Sequence, residues 1–331
     1  MQKPDFERIF AAFKGIPVAV VGDLMLDTYV WGQVDRISPE APVPVVRVQR
    51  TDHRIGGAGN VALNLAALGA DVSVLGVLGE DSEGALLTGM LRSNGIGTDG
   101  LISSRQRRTT SKTRVMGRNQ QMMRLDSEMT DDLSQEDEAR ILSVIDDLFQ
   151  NAAPRTLIFE DYDKGVLTDN VISHVLSACR EKGVMTAVDP KRRNFFAYRG
   201  VDIFKPNLKE VREALGLSDG EVDADSLTDM HRRLSERLHH AISLITLSDK
   251  GVFHASGEVS AVIPSHRRDI SDVSGAGDTV IAVAALVHAV TSDVALSAAV
   301  ANIAGGLVCE EVGTVAIDRQ RLLAECIHLL G

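Results

Sequence analysis

Cysteine is scarce in this chain of 331 residues. Cys179, Cys309 and Cys326 are odd in number, far apart and set in stretches that read as helices, which excludes a disulfide framework and a zinc site and implies reduced thiols in a cytosolic protein. Aromatic residues make up only 4% of the chain, a poor supply for a pocket that stacks a nucleoside. Positive charge is also in deficit. With 35 Lys and Arg against 46 Asp and Glu the net charge is −11, which repels polyanions and argues against nucleic acid as a partner. A few local cations and backbone N–H groups can still hold a small phosphorylated ligand. The most apolar run, Val280 to Val308, is broken by His288, Asp293 and Asn302, so it reads as two buried helices and not as a membrane span. The first 14 residues carry Asp5, Glu7 and Arg8 and show no secretion signal. Neither the dinucleotide spacing G-x-G-x-x-G after the first strand nor G-x-x-x-x-G-K-[ST] occurs, so Rossmann and Walker nucleotide sites are disfavoured.

What is present is an alternation of short apolar runs and helical periodicity. Pro17 to Gly22 reads as a buried parallel strand that delivers Asp23 at its carboxyl end. Helices are expected over 58–68 and 82–93, with Gly69 closing the first, and a strand over 72–77. Downstream the pattern predicts strands at 156–159, 184–188, 202–205 and 242–247, a hairpin over 251–263, and helices at 168–182, 208–215, 226–239, 276–290, 293–310 and 318–329. This is an α/β doubly wound, mainly parallel sheet flanked by helices, with ligands at the carboxyl ends of its strands. Two β-rich insertions, at about 29–48 and 109–125, interrupt the alternation and predict a small β-sheet lid. Without a repeat or long linker, residues 1–331 read as one domain.

Three elements carry chemistry. Ser274-Gly275-Ala276-Gly277-Asp278-Thr279 opens an apolar helix, so the N–H groups of Gly275, Ala276 and Gly277 can form an anion cradle. Asp278 is out of place beside an anion unless it accepts a proton from an attacking hydroxyl; the plainer reading is a helix cap. Gly56-Gly57-Ala58-Gly59-Asn60 also opens a helix and suits a polyhydroxy ligand, though such a start often reflects close packing alone. Asp23, Asp27, Asp161, Lys164 and Asp189 fall at or beyond strand ends, where carboxylates would accept from sugar hydroxyls. Residue by residue, a loop or cap role competes evenly with that reading.

The Gly56–Asn60 element, the run Lys205-Pro-Asn-Leu-Lys-Glu-Val211 and the run Asp272-Val-Ser-Gly-Ala-Gly-Asp-Thr279 together resemble the signatures of ribokinase-like carbohydrate kinases, in order and spacing over nearly the whole chain. Ser274 stands where many relatives have Thr. Within the family, residues 22–27, 36–46, 118–126 and 161–165 are similar to kinases of D-glycero-β-D-manno-heptose 7-phosphate. The resemblance implies ATP-dependent phosphorylation of the anomeric O1, giving heptose 1,7-bisphosphate on the route to ADP-heptose and lipopolysaccharide. No H-x-G-H element of a nucleotidyltransferase domain is present.

Carried over residue by residue, the resemblance implies Asp278 as base with Gly275, Ala276 and Gly277 holding the phosphoryl oxygens. Asp23, Asp27, Gly56, Gly57, Asn60, Asp161 and Lys164 would face the sugar, and Arg124 its 7-phosphate. Lys191, Asn207, Glu210, Thr246, Ser248, Gly251 and Asn302 would serve ATP, with Glu210 reaching Mg²⁺ through water. Asp272 and Gly313 mark a potassium position. The lid would pair with a second lid in a homodimer, covering Tyr29, Trp31, Val43, Val45 and Val46. Kinases of fructose phosphate, ribose or a nucleoside, and a non-catalytic sugar- or nucleotide-binding regulator of the same fold, are the competing readings.

Overall fold

The computed structural model describes residues 4–117, 120–218, 220 and 222–331, so Arg118 and Asn119 of the expected insertion at 109–125 lie outside the described residues. Strands β1 (Pro17–Gly22), β4 (Asp71–Gly79), β5 (Gly97–Ser104), β8 (Thr156–Glu160), β9 (Met185–Asp189), β10 (Ile203–Phe204), β11 (Ile242–Thr246), β12 (Val252–Ser256) and β13 (Val259–Ile263) form one sheet, in the order β13-β12-β11-β10-β9-β8-β1-β4-β5. Only the β11–β12 and β12–β13 pairings are antiparallel. β1 lies between β8 and β4, where the order reverses direction, and a doubly wound sheet opens its ligand crevice at such a point.

A second sheet, β3-β2-β6-β7, combines β2 (Leu24–Ile37), β3 (Pro44–Gly57), β6 (Thr110–Gly117) and β7 (Gln120–Ser127). This lid reaches further than the sequence suggests. β2 starts directly after Asp23 and β3 runs into Gly57, so the lid grows out of the residues expected at the site. β2 pairs parallel with β6, a long-range contact that local patterning cannot announce.

Helices α2 (Ala58–Leu68), α8 (Ala276–Thr291) and α9 (Val294–Val308) pack in one core cluster with β1 and β4. Val280 through Val287 are all buried, which explains why α8 is apolar around its whole circumference. Leu65, Leu68, Val74 and Leu286 meet in this layer. A second cluster covers the other sheet face with α4 (Gln135–Ala152), α5 (Asp169–Lys182) and α7 (Ala224–Leu238). Among the described α-helices and strands three escaped the sequence reading, α1 (Phe6–Ala11), β5 and α4. The last was legible: Ser134 caps it, three acids occupy its first turn, and Ile141, Ile145 and Phe149 repeat at four-residue spacing into the core.

Two expectations about exposed apolar groups change. Tyr29 is buried, its ring lying between the guanidiniums of Arg54 and Arg114 at 5.1 and 5.2 Å, and Trp31 is half-buried with Nε1 donating to Asp52 at 2.9 Å. Val43 is exposed as expected, Val45 and Val46 are half-buried, and Ile37, Val48, Met122, Met123 and Leu125 are further exposed apolar residues of the lid. Among the described residues no helix is long and apolar enough to cross a membrane.

Candidate active site

The carboxyl ends of β1, β8, β9 and β10 deliver Asp23, Glu160, Asp161, Asp189 and Lys205 to one place, and the first turn of α8 faces them with Asp278. Asp278 is buried, and each of its oxygens has a donor: Tyr162 Oη reaches Oδ1 at 2.7 Å and Asn60 Nδ2 reaches Oδ2 at 2.8 Å. Burial raises its pKa above the ordinary carboxylate value, the two donors pull it down, Asp189 pushes it up again and Lys205 opposes that. The side chain of Asn60 is itself placed by Asn64, whose Nδ2 donates to Asn60 Oδ1 at 3.3 Å as well as to its backbone O at 2.8 Å. Such a carboxylate, fixed and buried, can take a proton from a hydroxyl.

Gly275 caps α8 in the left-handed region at φ 79°, which glycine adopts without cost, and a Cβ there would sit 2.7 Å from Asn60 Nδ2. Gly275, Ala276 and Gly277 surround the helix start, but Ala276 N–H turns back to Val273 O at 3.3 Å, so the cradle offers fewer free donors than three. Gly57 also has positive φ, 59°, and a Cβ would lie 2.3 Å from Asp23 O; at Gly56 it would lie 2.6 Å from Asp27 Oδ2. These glycines let β3 close over β2 beside Asn60.

The acids expected at sugar hydroxyls are largely committed elsewhere. Asp23 accepts from the backbone N–H groups of Tyr162, Lys164 and Val166, and burial together with Asp161 lifts its pKa to about 6 against those three donors. Asp161 accepts from Tyr198 Oη at 2.6 Å, Asn194 Nδ2 at 3.1 Å and Asp163 N at 2.9 Å. Both shape the 161–166 loop that carries Tyr162. Lys164 Nζ is tied to Glu128 at 3.0 Å. Asp27 is bound to Arg114 at 2.5 Å, in a pair whose side chains are 4% and 14% exposed. Arg124 lies directly across the ladder from Arg114, half exposed, with Nε on Asp126 at 2.9 Å.

A description of pfkB family carbohydrate kinases matches residues 17–320. The chain belongs to this family. It is 42% identical over 330 residues to the bifunctional protein HldE of Citrifermentans bemidjiense, covering 99% of this chain and 67% of that protein. To the protein of the same name from Desulfatibacillum aliphaticivorans it is 42% identical over 316 residues, 95% of this chain and 63% of that one. The chain thus spans about two thirds of the length of these relatives. Phosphofructokinase-2 from Escherichia coli in complex with potassium superimposes with a TM-score of 0.76 at 16% identity, over 94% of this chain and 99% of that one. Arabidopsis thaliana ribokinase complexed with ribose and ATP gives 0.72 at 19%, over 93% and 99%. These are likenesses of fold. As a member of the pfkB family the protein is an ATP-dependent carbohydrate kinase.

On the β9–β11 side of this kinase, Lys191 Nζ contacts Glu210 at 2.9 Å and Asp189 at 3.6 Å. Burial works against its charge, yet Asp189, Glu210 and Glu160 together raise its pKa. Asn207 and Glu210 form a capping box at the start of α6 (Leu208–Leu215), each accepting from the other's backbone N–H. Asn207 also bridges to Thr246 at the end of β11. Ser248 follows, and Gly251, at φ 100°, leaves a Cβ only 2.0 Å from Ile263 O. Asn302 donates to Pro264 O at 2.9 Å, so the structure gathers these residues at one end of β11–β13.

Asp272 and Gly313 do meet: Asp272 Oδ2 accepts from Gly313 N at 2.9 Å, while Oδ1 accepts from Ser274 N and Oγ. The carbonyls on either side, Val312 O and Thr314 O, accept from Arg54 Nη1 at 2.5 and 3.1 Å. Arg54 thus already occupies the carbonyls on either side of Gly313.

Sequence reasoning passed over Glu160, gave Tyr162 no role and used Lys205 only as part of a motif. Lys205 is buried on Asp189 Oδ2 at 2.7 Å. The available signal was the pair Glu160-Asp161 at the end of a buried strand, where alternation sends one acid to each face.

Proposed function

We propose that this kinase phosphorylates the anomeric O1 of D-glycero-β-D-manno-heptose 7-phosphate to heptose 1,7-bisphosphate, toward ADP-heptose for lipopolysaccharide. The observation that carries the chemistry is Asp278, held by Tyr162 and Asn60 at the start of α8. What supports the substrate is the likeness of residues 22–27, 36–46 and 161–165 to heptose 7-phosphate kinases, together with 42% identity to proteins named HldE.

In this reading Asp278 takes the O1 proton as the hydroxyl attacks the γ-phosphate, and the Gly275–Gly277 backbone together with the α8 terminus receives the phosphoryl oxygens. Asn60, Gly56, Gly57 and Asp27 line the sugar. Asp23 and Asp161 act through the loop they shape, and Arg124 and Arg114 supply positive charge toward the 7-phosphate. Lys191, Asn207, Thr246, Ser248, Gly251 and Asn302 border ATP.

The carboxylate-rich donor set fits magnesium, a hard cation that prefers oxygen ligands and retains waters. Glu210 would hold it through water, and when bound it neutralises phosphate charge. The exposed Ile37, Val43, Val48, Met123 and Leu125 favour a homodimer through the lid.

The test is ADP release with ATP and Mg²⁺ over heptose 7-phosphate, fructose 6-phosphate, fructose 1-phosphate, ribose and adenosine. Turnover confined to the heptose phosphate and lost in Asp278→Asn is expected. Turnover with another sugar overturns the substrate, and strong residual turnover in the variant overturns the base.

A further inference from the structure

Glu160 is fully buried, and neither of its carboxylate oxygens has a hydrogen-bond donor. Leaving an ionised carboxylate in that condition is costly, so an unpartnered buried acid calls for a ligand or a proton. Its surroundings are acidic. Glu160, Asp189 and Asp278 each place an oxygen within 4.8 Å of the other two. Asp189 keeps Oδ2 on Lys205, but its Oδ1 has no hydrogen bond and only the more distant Lys191 at 3.6 Å, whose nearer partner is Glu210. Glu160, Asp189, Asp278 and Glu210 thus face two lysines, and negative charge is left over within a buried volume.

A hard divalent cation binds oxygens at roughly 2.0–2.6 Å, so its ligands lie up to about 4–5 Å apart, the spacing seen here. We infer that Glu160 and Asp189 directly ligate a divalent cation such as Mg²⁺ or Mn²⁺, filled without nucleotide and separate from the ion reached through water at Glu210, while Asp278 lies beside it with its oxygens on Tyr162 and Asn60. Glu160 is the decisive ligand, because its oxygens are the ones with no other use. The two ligands come from the ends of β8 and β9 and face the first turn of α8, so the cation sits between the sheet and the helix that carries Asp278. Its positive charge offsets Glu160 and Asp189 beside Asp278. This site deepens the proposed function only through the role given to Asp278; its existence does not depend on which sugar is used.

The experiment is titration of the nucleotide-free protein with MnCl₂, following free Mn²⁺ by electron paramagnetic resonance. One bound Mn²⁺ is expected in the wild type, displaced by excess Mg²⁺, with at least tenfold weaker binding in Glu160→Gln and unchanged binding in Glu210→Gln. No binding by the wild type at millimolar Mn²⁺ overturns the site and leaves Glu160 protonated. Binding that survives Glu160→Gln, or that is lost in Glu210→Gln, overturns the ligand assignment. The wild-type titration stands even if a variant fails to fold. Mn²⁺ binding with no heptose phosphate turnover would sink the substrate reading alone, and the reverse result would sink the site alone.

Discussion

The hydroxyl of Tyr162 donates to Oδ1 of Asp278 at 2.7 Å, joining the loop after β8 to the first turn of α8 across the site. The phenol is held in its neutral, donating form, because burial, Asp278, Glu160 and Asp189 all raise its pKa well above the usual value. This donor also lowers the pKa of Asp278 against the effect of burial.

Tyr162→Phe removes that donor, and the pKa of Asp278 then rises further. Since the proposed base works ionised, the acid limb of the kcat profile moves to higher pH. A hydrogen bond to a charged group is worth about 1.5–3 kcal/mol, so the limb moves up by roughly 1–2 pH units and kcat on that limb falls on the order of 10- to 100-fold, with recovery at higher pH. A pH–rate series on wild type and variant checks this. A lower rate with an unmoved limb would assign Tyr162 to packing alone.

The two lid arginines separate by environment. Arg114 compensates buried Asp27, so Arg114→Ala leaves an unpaired carboxylate and costs about 3–5 kcal/mol of stability. Arg124 is half exposed on Asp126, and Arg124→Ala costs less than about 1 kcal/mol. Its effect is expected on the KM for the phosphorylated sugar, with the KM for ATP little changed. Thermal melts and two-substrate kinetics on both variants test the contrast. An unchanged sugar KM in Arg124→Ala removes it from the phosphate subsite.

Much of this arrangement was readable because it is local. Asn60, Gly275, Gly277 and Asp278 stand at helix starts that small residues announce, and most strands of the main sheet show as short apolar runs. What stayed hidden depends on contacts distant in sequence. Nothing near Arg114 marks it as the partner of Asp27, 87 residues away, and nothing near Arg54 points to the 312–314 loop. Asp161 looked like a ligand because it ends a strand. The side chains of Tyr198 and Asn194, which take up its oxygens, become neighbours only in the fold.

Arg54 predicts the response to salt. Its guanidinium serves the carbonyls of Val312 and Thr314 beside the Asp272–Gly313 contact, so replacing KCl by tetramethylammonium chloride at constant ionic strength should change kcat by less than about twofold, the difference made by roughly 0.4 kcal/mol. In Arg54→Ala those carbonyls lose their donor and can accept an ion, so kcat should fall and be partly restored by K⁺. Strong activation of the wild type by K⁺ would show that Arg54 does not fill this role.

A buried chain away from the site governs acid stability. Ser243 Oγ lies 2.8 Å from His231 Nδ1 and 2.6 Å from His240 Nε2, linking α7 to β11, and its single proton can serve only one ring. Burial, helped by His231, lowers the pKa of His240 from the ordinary 6.5 to about 4, and burial lowers that of His231. The unfolded chain therefore binds protons that the folded chain refuses. The stabilisation is fully present above pH 6.5 and is lost as pH falls toward 4, by roughly 3 kcal/mol for His240. Urea unfolding of wild type and His240→Gln between pH 7 and pH 4.5 tests this, because a glutamine has no proton to gain and the variant should lose less stability on acidification. Equal losses in both proteins would assign the acid sensitivity to other groups.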